Sequence, residues 1–249
     1  MQRVLITAGA AGIGREIARA FAAAGAKVFV CDIDEAQLAE AKQEGFLTAR
    51  CDMARRAEIE RMVPAAVEAL GGLDVLVNNA GIAGLTLPVE QYPPDDWDRV
   101  IAVNLTGMFD TTRLAIPHLK NSNAGVIVSL SSIAGRFGFA NRSPYAATKW
   151  AVIGFTKTLA TELGAFGIRA NAIAPGAVAD DRIERVFAGR SQISGKSVEE
   201  VRAEAMSVQS IKAMVDPKDI AQLAVFLASP AAKAISGQVM PIDNDRQMA

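Results

Sequence analysis

The chain has 249 residues, 51% of them hydrophobic, with 26 Lys and Arg against 27 Asp and Glu and a formal net charge of −1. That balance gives no electrostatic reason to expect nucleic acid or an anionic membrane as a partner, while the apolar fraction suffices for a large core. The length suits one α/β domain over 1–249, since such folds routinely run this long undivided.

The first predicted element is a short buried strand at 3–7, which runs straight into Ala8-Gly9-Ala10-Ala11-Gly12-Ile13-Gly14. A helix follows near 12–24, with Ile13, Ile17, Phe21 and Ala24 at near-helical spacing. Strand, glycine turn and helix together aim free backbone N–H groups and the positive helix end at a phosphate. Gly12 and Gly14 are expected to let the backbone approach a pyrophosphate whose space a side chain would fill.

A second strand at 27–31 ends in Asp32, near the distance at which such folds set a carboxylate on the adenosine ribose. A 2′-phosphate there would meet a like charge, a repulsion of roughly 4 kcal/mol at about 4 Å and an effective dielectric near 20. No Arg or Lys stands at Ala11 or Ile33 to offset it. NAD is therefore expected over NADP.

Further strands at 46–50, 73–77, 124–130, 168–174 and 238–242 alternate with helices near 34–44, 55–70, 97–120, 144–164 and 217–228. The strands are continuous apolar runs, which predicts a parallel sheet covered on both faces. There is no internal repeat or low-complexity linker. The stretch 177–209 breaks the rhythm: it is polar, holds Gly189 and Gly195, and has a helical portion from Ser197. Such insertions beside a site are often lids, and this one is expected to be the substrate loop.

The first strand begins almost at Met1, which leaves no room for a signal peptide, and no apolar run approaches a membrane span; a cytoplasmic protein is expected. Cys31 and Cys51, at the ends of neighbouring strands, are expected as buried thiols rather than a disulfide. No His/Cys/Asp cluster has metal spacing, so no metal is expected, and His118 reads as a helix-end cation.

Tyr145 and Lys149 stand four residues apart at the head of a predicted helix, so both project from one face. A phenol at its ordinary pKa near ~10 stays protonated at neutral pH. A fixed ammonium beside it favours the phenolate. Reaching a pKa of about 7 takes roughly 4 kcal/mol, which calls for the lysine plus a second cation.

With these pieces in place the chain resembles the short-chain dehydrogenase/reductase family along essentially its whole length. The family's Thr-Gly-x-x-x-Gly-x-Gly maps onto Thr7–Gly14, with Ala8 in place of the first glycine. Its Asn-Asn-Ala-Gly stands as Asn78-Asn79-Ala80-Gly81, its acidic residue beside the adenine as Asp52 before Met53, and its Pro-Gly as Pro175-Gly176. The catalytic serine of the family lies thirteen residues before the tyrosine, which selects Ser132. Two departures occur: Asp180 where Thr or Ser is frequent, and Asp243-Asn244-Asp245 where Asp-Gly-Gly is usual.

The resemblance implies a three-layer, doubly wound Rossmann fold with a parallel seven-stranded sheet. It implies a catalytic set of Asn104, Ser132, Tyr145 and Lys149. The implied cofactor site is Gly9, Ala11, Gly12, Ile13, Gly14, Asp32, Ile33, Asp52, Met53, Asn79, Ala80, Gly81, Tyr145, Lys149, Pro175, Gly176 and Val178. The implied activity is NAD-dependent interconversion of a secondary alcohol and a ketone. Tyr145 would exchange the proton and Ser132 would hold the substrate oxygen. Lys149 would tune Tyr145 and bind the nicotinamide ribose, and Asn104 would hold its helix and a relay water.

Arg136, Arg142 and Arg182 lie on segments that the family fold brings towards the substrate, and a guanidinium clamps a carboxylate bidentately. Arg136 and Arg182 are the expected substrate contacts beside Ser132 and Tyr145, with Asp180 and Asp181 bonding hydroxyls. The substrate expected is thus a small polar alcohol: a sugar acid, polyol or hydroxy acid. Helices 97–120 and 144–164 carry Met108, Phe109, Trp150 and Phe155, and relatives commonly pair these helices, so a homotetramer is expected. Two alternatives stand: a 3-oxoacyl-thioester reductase, whose usual NADPH is opposed by Asp32, and a cofactor-binding regulator without turnover. The regulator's expected mark is a broken Ser/Tyr/Lys set, which here is intact.

Overall fold

The computed structural model describes residues 1–247, apart from the side chain of Asp181. Expected above to bond substrate hydroxyls, Asp181 therefore lies outside the described side chains. Seven strands form one sheet: β1 (Arg3–Thr7), β2 (Lys27–Asp32), β3 (Leu47–Arg50), β4 (Val75–Asn78), β5 (Val126–Leu130), β6 (Arg169–Pro175) and β7 (Val239–Ile242). Their order is β3-β2-β1-β4-β5-β6-β7 and every pairing is parallel. The winding reverses between β1 and β4, and such a reversal leaves a crevice at the carboxyl ends of the strands.

The continuous apolar strands feed two cores, because alternate side chains point to opposite faces. Val4, Ile6, Val28, Val30, Val75 and Val77 face Ile17 and Phe21 of α1 (Gly12–Ala23), Leu38 of α2 (Glu35–Gln43) and Ile220 and Leu227 of α9 (Pro217–Ala228). Leu5, Phe29, Leu76 and Ile127 face the other way. They meet Ile59 and Val63 of α3 (Arg56–Leu70), Leu119 of α5 (Gly107–Lys120) and Leu159 of α6 (Ser143–Leu163). Cys31 and Cys51 are buried in this second core as free thiols.

Two segments differ from the sequence expectation. The single helix predicted over 97–120 is α4 (Pro94–Ile101), one π turn (Ala102–Thr106) and then α5. Gly107 follows the π turn because a Cβ there would stand 2.3 Å from the Met53 carbonyl. The stretch 177–209 is also more helical than its polarity suggests, with α7 (Asp181–Ser194) preceding α8 (Val198–Ser207). Asp180 caps α7 by accepting from Ile183 N, Gly195 ends it at φ +71°, and a Ser197/Glu200 capping box starts α8. The pair shares a small core of Phe187, Val201 and Ala205. Among the described residues no helix is long and apolar enough to cross a membrane.

Candidate active site

The crevice opens on the glycine turn. Gly12 sits at φ +52° with nothing near the place a Cβ would occupy, so open space faces it. Ala11 precedes α1 without any side-chain cap, leaving the first N–H groups of the helix without a side-chain acceptor. This is the cradle that a pyrophosphate fits. Gly14 has a different reason than expected: a Cβ there would meet Ala8 O at 2.2 Å and Asn79 Nδ2 at 2.5 Å. It is small for the protein's own packing. Gly9, likewise, faces Val30 at 2.7 Å and does not line the crevice, so its expected ligand contact becomes a packing role.

Ala8, where the family carries glycine, adopts φ +49°. That left-handed conformation strains an alanine by roughly 1–2 kcal/mol, partly offset by the lower unfolded-state entropy of alanine. Ala8→Gly is expected to stabilise the protein by about 0.5–1 kcal/mol. Calorimetry should then show Tm rising by roughly 1–4 °C; an unchanged or lower Tm would show that the turn is unstrained. Asn244 (φ +58°) and Asp245 (φ +54°) stand in the same way where Gly-Gly is usual, as residues whose short polar side chains tolerate this region.

The crevice has a volume of about 730 Å³, and Asp32, Ile33, Asp52, Met53, Ala80 and Gly81 all line it, together with the turn residues Ala11 to Gly14. Asn79 locks its floor, donating to Thr7 O (3.1 Å) and Ala8 O (2.8 Å). Thr7 Oγ1 in turn accepts from Asn79 N and Ala80 N. Arg15 also lines the crevice and went unnoticed in the sequence. Its guanidinium is already held by Glu40 (2.7 Å) and Glu44 (2.6 Å).

The Ser/Tyr/Lys set stands beside it. Tyr145 lies in the first turn of α6 and Lys149 one turn on, its Nζ 5.6 Å from the centre of the Tyr145 ring. Lys149 is buried and donates to Leu130 O at 2.7 Å, anchoring α6 to the end of β5. Ser132 follows β5 by two residues, and its Oγ accepts from Ala134 N at 3.2 Å. Gly135 lets the short 3₁₀ turn after Ser132 press on α6, since a Cβ would be 2.4 Å from Lys149 O.

Burial pushes the Tyr145 phenol up, but Lys149, Arg182, the neighbouring Ser132 hydroxyl and Arg142 outweigh it, leaving the pKa below the ordinary value. Burial also lowers Lys149, against the pull of Tyr145. Asn104 is buried in the π turn and clasps the chain after β4: Oδ1 accepts from Ile82 N (2.8 Å) and Nδ2 donates to Ile82 O (3.0 Å) and Thr148 Oγ1 (3.1 Å). It thus touches α6 between Tyr145 and Lys149 rather than the phenol.

Above Ser132 and Tyr145 a second cavity of about 120 Å³ is walled by Pro175, Gly176, Val178, Phe139, Phe187 and four arginines, Arg142, Arg182, Arg190 and Arg246. Arg182 was expected here; Arg190 and Arg246 were not. Arg136 does not line this cavity. It is drawn off by Asp243, with 2.9 Å between Nη1 and Oδ2, and so latches the loop after β5 to the end of β7. The substrate contact expected of Arg136 is corrected accordingly. Asp180 lines the cavity, yet one carboxylate oxygen is taken by Ile183 N at 2.9 Å. Among the described residues no group of His, Cys, Asp and Glu is placed to hold a metal ion.

A family model described as enoyl-(acyl carrier protein) reductase matches residues 8–244. D-beta-hydroxybutyrate dehydrogenase of Cupriavidus necator is 40% identical over 248 residues, 96% of this chain and 95% of that one. The 3-oxoacyl-[acyl-carrier-protein] reductase of Thermotoga maritima is 37% identical, covering 96% of this chain and 95% of its own. Among solved structures, NAD⁺-bound xylitol dehydrogenase superposes with a TM-score of 0.92 at 27% identity, over 97% of both chains. Solved neighbours carry NADPH, NAD⁺ or NADH. Fold, crevice and relatives define an oxidoreductase that uses a nicotinamide cofactor and interconverts alcohols and ketones at CH–OH groups. The chain belongs to the short-chain dehydrogenase/reductase family.

Proposed function

We propose that the protein is an NAD-dependent dehydrogenase of a small, polar secondary alcohol, with Tyr145 as its proton-transfer group. The observation that carries this reading is the Tyr145 phenol set beside Ser132 and Lys149 and opening into a cationic cavity next to the crevice. Gly12, the free start of α1 and Asp32 would hold NAD by its pyrophosphate and adenosine ribose, and Pro175, Gly176 and Val178 would flank the other end. When bound, NAD accepts a hydride from the carbinol carbon. Ser132 Oγ hydrogen-bonds the carbinol oxygen, and Tyr145 removes its proton as that oxygen becomes a carbonyl. Lys149 holds the phenol towards its anionic form. Asn104 is a positioning residue that fixes α6.

Screening the purified protein with NAD against hydroxy acids, sugar acids, polyols and aryl alcohols tests this reading. NAD reduction by a polar member is the expected result. Activity confined to 3-oxoacyl thioesters with NADPH would replace it by the thioester reductase, which one relative's name suggests.

We further expect a homotetramer. Trp150 on α6 (52% exposed) and Phe109 on α5 (44% exposed) lie bare, and Phe109 tilts against Phe155 of α6 with centroids 6.3 Å apart. Met108, which the sequence grouped with them, is buried within the subunit. Covering such a face in symmetric, isologous contacts is the common solution. Sedimentation at micromolar concentration should show four copies; a stable monomer would rule the assembly out.

A further inference from the structure

We propose that Arg142 is a substrate-binding residue that selects short hydroxy and keto acids, seating their carboxylate while the carbinol oxygen rests on Ser132 and Tyr145. This rests on the dehydrogenase reading above and adds the identity of the substrate's charged end.

Arg142 immediately precedes α6 and is only 4% exposed, yet among the described residues its Nε has no hydrogen-bond partner. Among the described residues the guanidinium donates to Ala83 O, at 3.3 Å from Nη2. A buried arginine normally finds a carboxylate, and a buried donor left unmade is costly, which points to a partner that arrives with a ligand. The guanidinium lines the cavity that Ser132 and Tyr145 also line, 4.9 Å from the centre of the Tyr145 ring. A ligand touching both the phenol oxygen and this guanidinium therefore spans only a few bonds.

The charge of the cavity agrees. Arg182, Arg190 and Arg246 share its wall, whereas the one acid among the described residues there, Asp180, is committed through one oxygen to the cap of α7. An anion relieves this accumulation of like charge and a neutral alcohol does not. The volume of about 120 Å³ suits a short chain better than a long one. The planar fork of an arginine binds a carboxylate through two parallel bonds.

The test is calorimetric titration of the NAD-loaded protein with 3-hydroxybutanoate and with 3-hydroxybutanamide, repeated for the 2- and 4-hydroxy homologues. NAD reduction by the same compounds is followed in parallel. At least one acid is expected to bind on the order of 10²-fold tighter than its amide, since a site built for a polar partner rejects the analogue lacking it. Arg142→Gln should bring that ratio to within about threefold of one, and Arg142→Lys should recover part of it, keeping the charge without the fork. Equal binding of acid and amide by the unaltered protein overturns the proposal without needing any variant to fold. So does an acid/amide ratio that Arg142→Gln leaves intact. Acid binding that depends on Arg142 with no NAD reduction supports the anchor and counts against the dehydrogenase reading. NAD reduction by neutral alcohols alone does the reverse.

Discussion

Replacing Tyr145 by Phe is expected to lower kcat at least about 10²-fold, the lower end of acid–base contributions, while NAD binding stays nearly unchanged. The ring and its packing remain; only the ionisable oxygen goes. The pH dependence carries the same information. Oxidation of the alcohol needs the phenolate, so its rate should rise with pH through the Tyr145 pKa and then level off. Because Lys149, Arg182, Ser132 and Arg142 bring that pKa below its ordinary value despite burial, the rise should be centred below that of a free phenol. Lys149→Met removes the largest favourable contribution and should move the midpoint upward. Turnover near the unaltered level in Tyr145→Phe, measured by initial rates of NADH formation, would remove Tyr145 from the chemistry.

Cofactor choice should show an effect of comparable size. kcat/KM with NAD is expected to exceed that with NADP by on the order of 10²-fold, about 3 kcal/mol, and Asp32→Ala should narrow the gap. The reason lies at the end of β2. The Asp32 carboxylate accepts from Ile33 N (2.8 Å) and Ala10 N (3.3 Å), so it is fixed at the crevice edge. Arg15, a cation of the same crevice that could welcome a 2′-phosphate, is bridged by Glu40 and Glu44. Freeing it with Glu40→Gln and Glu44→Gln in the Asp32→Ala background should raise NADP use further. Equal efficiency with both cofactors in the unaltered protein would contradict this account.

The sheet was readable from the sequence because its physics is local. Val, Ile and Leu runs bounded by Gly and Asp leave little choice but buried parallel strands, and the turn at Gly12 follows directly. The Tyr145/Lys149 pair is equally local, one turn apart on a single helix. What escaped depends on distance along the chain. Arg136 and Asp243 are 107 residues apart, and nothing near either one announces the other. Arg190 and Arg246 reach the cavity only because α7 and the segment after β7 converge there. The helix α7 was hidden by Gly189, a poor helix former. Its reason is tertiary: a Cβ there would press on Thr86 at 3.0 Å. The helix had nevertheless left a signal in the Asp180 cap and in Gly195 at its end.

Asp180 and Arg182, at the start of α7, belong to the walls of both cavities. Two ligands that meet the same side chains do not bind as independent events, because each alters the free energy with which the other is received. That exchange is symmetric: whatever factor the dinucleotide applies to substrate affinity, the substrate applies to dinucleotide affinity. The first turn of α7 thus stands where such a coupling would arise, and it would be readable from either side of the site.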